Sequence, residues 1–255
     1  MKAVFSFRFD APESEAKRLC AVAEEMFDEV RRLETLLSRF VEDSDVAQIN
    51  RLSQGESVIV APETFHCLEL AEDAMQQTNG YFDVAYLSPV TDEAVRPFFL
   101  LTTPHRVRSE VPSLHIDLGG IGKGFALDHI VSIPLSYGYS RVVLCADSST
   151  ILALDPPENA LGWEVSVELD AMEHRLELRD TAISCSGTSI RGEHIFDTKR
   201  RIWLAQSKRC YRYAKSAALA DALSTAGLQE YENGGCLSEG EACCLARARA
   251  YPDLV

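Results

Sequence analysis

The sequence has no excess of positive charge, no apolar run long enough to span a bilayer, and no CxxC motif. Against 25 lysines and arginines stand 39 aspartates and glutamates, a formal net charge of -14. Such a surface repels phosphate backbones and anionic lipid, which argues against nucleic acid and membrane as partners. The one basic cluster, Lys199, Arg200 and Arg201 with Lys208 and Arg209, reads best as a solvated hairpin turn. The eight cysteines are scattered, with no Cys/His spacing that would hold zinc. Reduced thiols in a cytoplasmic protein are the simpler account. The opening "MKAVFSFRFDAPES" alternates and then turns polar, without the apolar core of a signal peptide. No fixed-period repeat and no low-complexity linker divides the chain.

What is present is material for a buried core: 46% hydrophobic and 25% charged residues over 255 positions. Residues 2–9 alternate as a half-buried strand, with Ala3, Phe5 and Phe7 on one face. Asp10 offers an N-cap, and Leu19, Val22, Met26, Val30, Leu33 and Leu37 follow at helical spacing. A short helix opens on Ser44, and a third has Pro62 near its start and Asn79-Gly80 as its stop. "SLHIDL" predicts a strand and Phe125 to Leu135 a helix, whereas Thr91 to Ser113 carries no clear pattern. Strands follow at Arg141 to Ala146, Trp163 to Leu169, His174 to Leu178 and Ala182 to Cys185. "AALADALSTAGL" is helical, and Cys236 to Ala250 would form a terminal strand or loop with a helix. Hairpins of strands with interspersed helices predict an α+β fold.

Several segments carry chemistry. In "HIDLGGIGKGFALDHI", His115 to Ile130, glycines and Lys123 stand between a strand-like run and a helix. The pattern is neither GxxxxGK[ST] nor GxGxxG. It is open to two readings, a loop approached closely by an anionic ligand or a tight turn needing positive φ. In "ADALSTA", Asp221 and Thr225 share one helix face at i, i+4, with Ser224 beside them. A carboxylate and hydroxyls are hard oxygen donors suited to magnesium, although a solvated polar face would look the same. In "SCSGTSIRGEHIFD", Ser184 to Asp197, His194 offers an imidazole that titrates near neutrality, or simply a hydrogen-bonded surface side chain.

In their order and spacing, these segments resemble the ApbE-type FAD:protein FMN transferases, the flavin transferase family. The likeness runs from about Phe40 to Leu228 through "DSDVAQIN", "GYFDV", "IDLGGIGKGFALD", "SGTSIRGEHIFD" and "ADALSTA". The resemblance implies a single ApbE-like α+β domain over residues 1–255. It would hold two similar subdomains of antiparallel sheet packed with helices, divided near residue 135, with the active site between them. It implies FAD as substrate, magnesium as cofactor, and transfer of FMN to a Thr or Ser hydroxyl of a flavoprotein acceptor, with release of AMP. Some members instead hydrolyse FAD to FMN and AMP. By the same resemblance, Asp221, Thr225 and the main-chain oxygen of Gly120 would hold the metal, with Ser224 nearby. Asp117 and Lys123 would line the FAD site, and Tyr81, Phe82, Asp83 and Ile195 would contact the nucleotide. His194 would help deprotonate the incoming hydroxyl, and Asp221 would be the catalytic carboxylate.

The departures from the family pattern are specific. Where the family reads V-N-[AL]-G-G-[DN], this chain has "VLCADSS", with Asp147 and Ser148 at the two glycines. "HIFDTKRR" lacks the proline and glycine that follow the family's histidine, and the segment between "YFDVAY" and "HIDLGG" is short. Many members are exported lipoproteins, and no lipobox is found here. An alternative expectation is therefore a catalytically degenerate relative that binds FAD weakly or not at all and serves as a binding or interaction protein. A role as the flavin acceptor itself is disfavoured, because the acceptor motif begins with Asp-Gly and this sequence has no such pair.

Overall fold

A computed structural model of the chain describes residues 3–89, 96–169, 172–187, 196–204 and 209–232. Strand β1 (Phe5–Phe9) turns Phe5, Phe7 and Phe9 toward the core, as its alternation predicts. Helix α1 (Ala16–Leu37) buries Val22, Met26, Leu33 and Leu37. It opens through a 3-10 turn at Glu13–Glu15 and not on Asp10. The Asp10 carboxylate accepts the Glu158 N–H at 2.8 Å and pairs with Arg141 at 3.5 Å, a tertiary use that local spacing hides. Helix α2 (Asp45–Ile49) does begin on Ser44, whose hydroxyl accepts the Ala47 N–H at 3.0 Å. After β2 (Ser57–Ile59), helix α3 (Pro62–Gln77) has Pro62 in its first turn, and the chain leaves through left-handed Asn79 and Gly80.

Strands β3 (Phe98–Thr102) and β4 (His105–Ser109) join β2 in an antiparallel sheet of order β2-β4-β3. They lie where the sequence shows no pattern, because Phe99 and Leu101 are apolar yet exposed and blur the alternation. "SLHIDL" joins no sheet, which corrects the strand expected there. Its backbone bonds go elsewhere. The Asn50 carboxamide accepts the Ile116 N–H at 2.6 Å and donates to the Ile116 carbonyl at 2.9 Å. The Asp117 N–H donates to the Val84 carbonyl at 2.8 Å. The single helix expected at Phe125 to Leu135 is two, α4 (Gly122–Ile130) and α5 (Ser132–Ser136).

The remaining strands are β5 (Val142–Ala146), β6 (Thr150–Ala153), β7 (Trp163–Leu169), β8 (Met172–Leu178), β9 (Thr181–Gly187), β10 (Phe196–Asp197), β11 (Ile202–Trp203) and β12 (Arg209–Ala214). Helix α6 (Ala217–Glu232) ends the described chain. A five-stranded antiparallel sheet has the order β1-β5-β6-β9-β12. Period-2 alternation splits its residues between two cores. Leu144, Ala146, Leu152 and Ala182 pack against the helices, while Val143, Ile151, Ala153 and Ile183 meet Trp163 and Val165 of the β7–β8 hairpin. The architecture is α+β. The segment from Cys236 to Ala250 lies outside the described residues. No helix among the described residues is long and apolar enough to cross a membrane.

Candidate active site

Three residues of the glycine segment fasten α4 to α6. Asp128 accepts the N–H groups of Ala217 and Ala218, both at 2.8 Å, and the Ser216 hydroxyl at 2.7 Å, so it satisfies the first turn of α6. A Cβ on Gly124 would lie 2.1 Å from the Ala217 carbonyl oxygen, which makes glycine obligatory for this helix contact. Lys123 reaches across to Asp221, its Nζ 3.4 Å from each carboxylate oxygen. Among the described residues, the glycines with positive φ are Gly55, Gly80 and Gly138. Close approach, and not a left-handed turn, therefore accounts for Gly124.

Asp221 is 2% exposed and stands at the centre of an oxygen-rich cluster. Besides Lys123, its carboxylate accepts the Gly124 N–H at 3.3 Å and the Ser184 hydroxyl at 3.2 Å. One turn on, the Ser224 and Thr225 hydroxyls donate to the Asp221 carbonyl at 2.9 and 3.2 Å. The Ser186 hydroxyl touches both, at 2.7 Å from Ser224 and 3.0 Å from Thr225. Gly120 completes the group: a Cβ there would lie 3.1 Å from the Thr225 hydroxyl oxygen and 3.1 Å from the Phe82 ring edge. Gly120, Lys123, Asp221, Ser224 and Thr225 are thus brought together as one site.

Ser184, Ser186 and Thr150 also belong to the cluster, and no motif in the sequence assigns them a role. Ser184 and Ser186 follow Ala182 on the helix-facing side of β9, and Thr150 pairs with Ser184 across the sheet, hydroxyl to hydroxyl at 2.9 Å. The available signal is two hydroxyls at i, i+2 on one face of the strand.

Asp117 lies at the rim. Its Oδ1 accepts the Gly119 N–H at 2.9 Å, and its Oδ2 accepts the Tyr86 hydroxyl at 3.2 Å and faces Arg39 at 3.5 Å. Burial and the neighbouring Asp117 charge push the Tyr86 phenol well above its usual range. Tyr86 also meets Phe196 and Trp203, with ring centroids 5.2 and 6.3 Å away. Tyr81 stacks under the Lys199 ammonium at 5.5 Å. Phe82 is buried. Asp83 turns inward to accept the Ala85 N–H at 2.8 Å, and burial raises its pKa. The turn from Thr198 to Arg201 between β10 and β11 is not merely solvated: Arg201 donates to the Tyr86 carbonyl at 2.7 Å. His194 and Ile195 lie outside the described residues.

Asp147 and Ser148 adopt φ of 55° and 60°, both in the left-handed region that favours glycine. The Asp147 carboxylate accepts the Val4 N–H at 2.8 Å, which directs its charge to the start of β1.

The side-chain groups around Asp221 that could ligate a cation are oxygens, and the Lys123 ammonium also lies against its carboxylate. No group of three or more His, Cys, Asp or Glu that could hold a metal occurs among the described residues. One carboxylate with hydroxyls fits a hard cation that keeps waters and takes further oxygens from a phosphate ligand. The donor chemistry therefore suits magnesium.

The sequence model of the ApbE family matches residues 1–232. The chain belongs to the ApbE family. Solved structures share the fold. The flavinyl transferase ApbE of Pseudomonas stutzeri superimposes with a TM-score of 0.73 at 18% identity, covering 89% of this chain and 84% of that one. The flavin transferase ApbE of Vibrio cholerae gives a TM-score of 0.73 at 18% identity, covering 90% and 84%. An ApbE protein of Thermotoga maritima gives 0.71 at 21% identity, covering 92% of each chain. No curated protein matches the sequence. In this ApbE family member, the segment from Asp117 to Asp128 supplies both the rim of the site and the anchors of α6.

Proposed function

We propose that the chain is a magnesium-dependent flavin transferase that takes FAD and transfers FMN to a Thr or Ser hydroxyl of a flavoprotein acceptor, or to water. In either case a new P–O bond forms to the phosphorus of the FMN half, and the bond to the AMP oxygen breaks. The proton leaves the attacking hydroxyl or water for a base, the role the family resemblance gives to His194, and AMP departs with the bonding electrons. The observation that carries this reading is the buried Asp221 carboxylate, with the Thr225 and Ser224 hydroxyls one turn on and Gly120 against Thr225. Asp221, Thr225 and the Gly120 carbonyl would hold magnesium, with Ser224 alongside. When bound, magnesium neutralises pyrophosphate charge and stabilises the phosphorus under attack. Lys123 contributes a second positive charge beside the same phosphates, and Asp117 fixes the loop that carries Gly120. Family membership and the transferase neighbours support the same reaction class.

A second reading, a relative that has lost FAD binding, draws on Asp147 and Ser148 in place of the glycine pair. The Asp147 carboxylate weighs against it, since the Val4 N–H engages it at 2.8 Å. The test is a titration with FAD followed by flavin fluorescence and AMP release, with and without magnesium. Binding with magnesium-dependent AMP release is expected. No binding at saturating FAD would overturn the proposal in favour of the second reading.

A further inference from the structure

We infer that Lys123 is a resident counter-ion of Asp221 that a divalent cation must displace, so that Lys123 sets the cation affinity of the site. This rests on the magnesium-dependent reading above. A carboxylate buried to 2% exposure cannot stand unneutralised without a large desolvation cost. In this structure the Lys123 ammonium supplies that neutralisation from a side chain only 13% exposed.

The contact is loose. The four donor contacts to the Asp221 carboxylate run from 3.2 to 3.4 Å. Charge-assisted bonds ordinarily close to about 2.7–2.9 Å. Two other carboxylates, Asp45 and Asp128, hold their donors more tightly. Asp45 accepts the Thr64 hydroxyl at 2.6 Å and the Ala61 N–H at 2.8 Å, and the Asp128 contacts run from 2.7 to 2.8 Å. Around Asp221 the donors stand farther back, at 3.2 to 3.4 Å. Lys123 also has somewhere to go, because its Nζ already lies 3.3 Å from the Gly119 carbonyl. A cation on Asp221 takes over the neutralisation, and Lys123 moves to the loop or to a ligand phosphate. Cation and phosphate then bind with positive coupling, since each draws apart the same ion pair.

The test titrates magnesium alone, without FAD, into the full chain by calorimetry. Lys123→Met removes the competing charge and is expected to tighten magnesium about tenfold, while Lys123→Arg keeps the charge and stays near wild type. Thermal unfolding gives a second readout: added magnesium should stabilise Lys123→Met more than wild type. If Lys123→Met fails to fold, Lys123→Gln takes its place under the same criteria. Unchanged or weaker magnesium binding by the uncharged variant would overturn the displacement while leaving magnesium dependence standing. Magnesium binding to neither protein would overturn the displacement, while the metal reading itself stands or falls on AMP release with and without magnesium.

Discussion

Gly124 lies so close to the first turn of α6 that a Cβ on it would come within 2.1 Å of the Ala217 carbonyl oxygen and 2.6 Å of the Ala218 nitrogen. The flanking Lys123 and Asp128 bind the same helix through Asp221 and through its N-terminal N–H groups. A segment with the look of a ligand loop is thus first a clamp, and the clamp sets where Asp221 stands.

Gly124→Ala forces α4 and α6 apart, because backbone and not a flexible side chain blocks the methyl group. A loss of about 1–3 kcal/mol is expected, as for other overpacked contacts. A urea denaturation midpoint equal to that of wild type would show that the two helices yield without cost.

Ser186→Ala removes the hydroxyl that touches both Ser224 and Thr225. The fold should survive, with about 1 kcal/mol lost per hydrogen bond. Turnover of FAD should fall about tenfold as the Thr225 hydroxyl loses its orientation, since each tenfold in rate corresponds to about 1.4 kcal/mol. Rate constants that match wild type would remove Ser186 from the site.

Asp83 gives a pH prediction. Burial, the largest influence, raises its folded pKa above the ordinary value of 3.8, although the Ala85 N–H and the charges of Arg201 and Lys199 oppose it. Between 3.8 and the raised value the folded state therefore binds more protons than the unfolded chain. Its contribution is most favourable at low pH and is lost as pH rises through that window. Asp83→Asn keeps an acceptor for Ala85 and abolishes this loss, so its stability relative to wild type should climb with pH and then level off. Parallel stability–pH curves for the two proteins would contradict the assignment.

Much of the fold is legible in the sequence wherever one face is buried and local. The spacing of α1, the Ser44 cap, the Asn79-Gly80 stop and the alternation of β1 are all read directly. Asp10 is misread because its partner, Glu158, is distant in sequence, and "SLHIDL" because side chains of Asn50 and Ser88 replace a neighbouring strand. The Asp221–Thr225 pair is visible at i, i+4. Its ion pair with Lys123 spans 98 positions, and the Ser184 hydroxyl reaches Asp221 from β9, with Thr150 behind it through the register of β6 with β9. Helix periodicity carries no information of that kind.

The central claim is that Asp221 organises a magnesium-dependent attack on FAD. The measurement that tests it most directly is AMP release from FAD by wild type and by Asp221→Asn, each with and without magnesium. Asn is nearly isosteric and removes the charge while keeping an acceptor oxygen. The account predicts magnesium-dependent AMP release by wild type and none above background by the variant. Equal release by both proteins would contradict it.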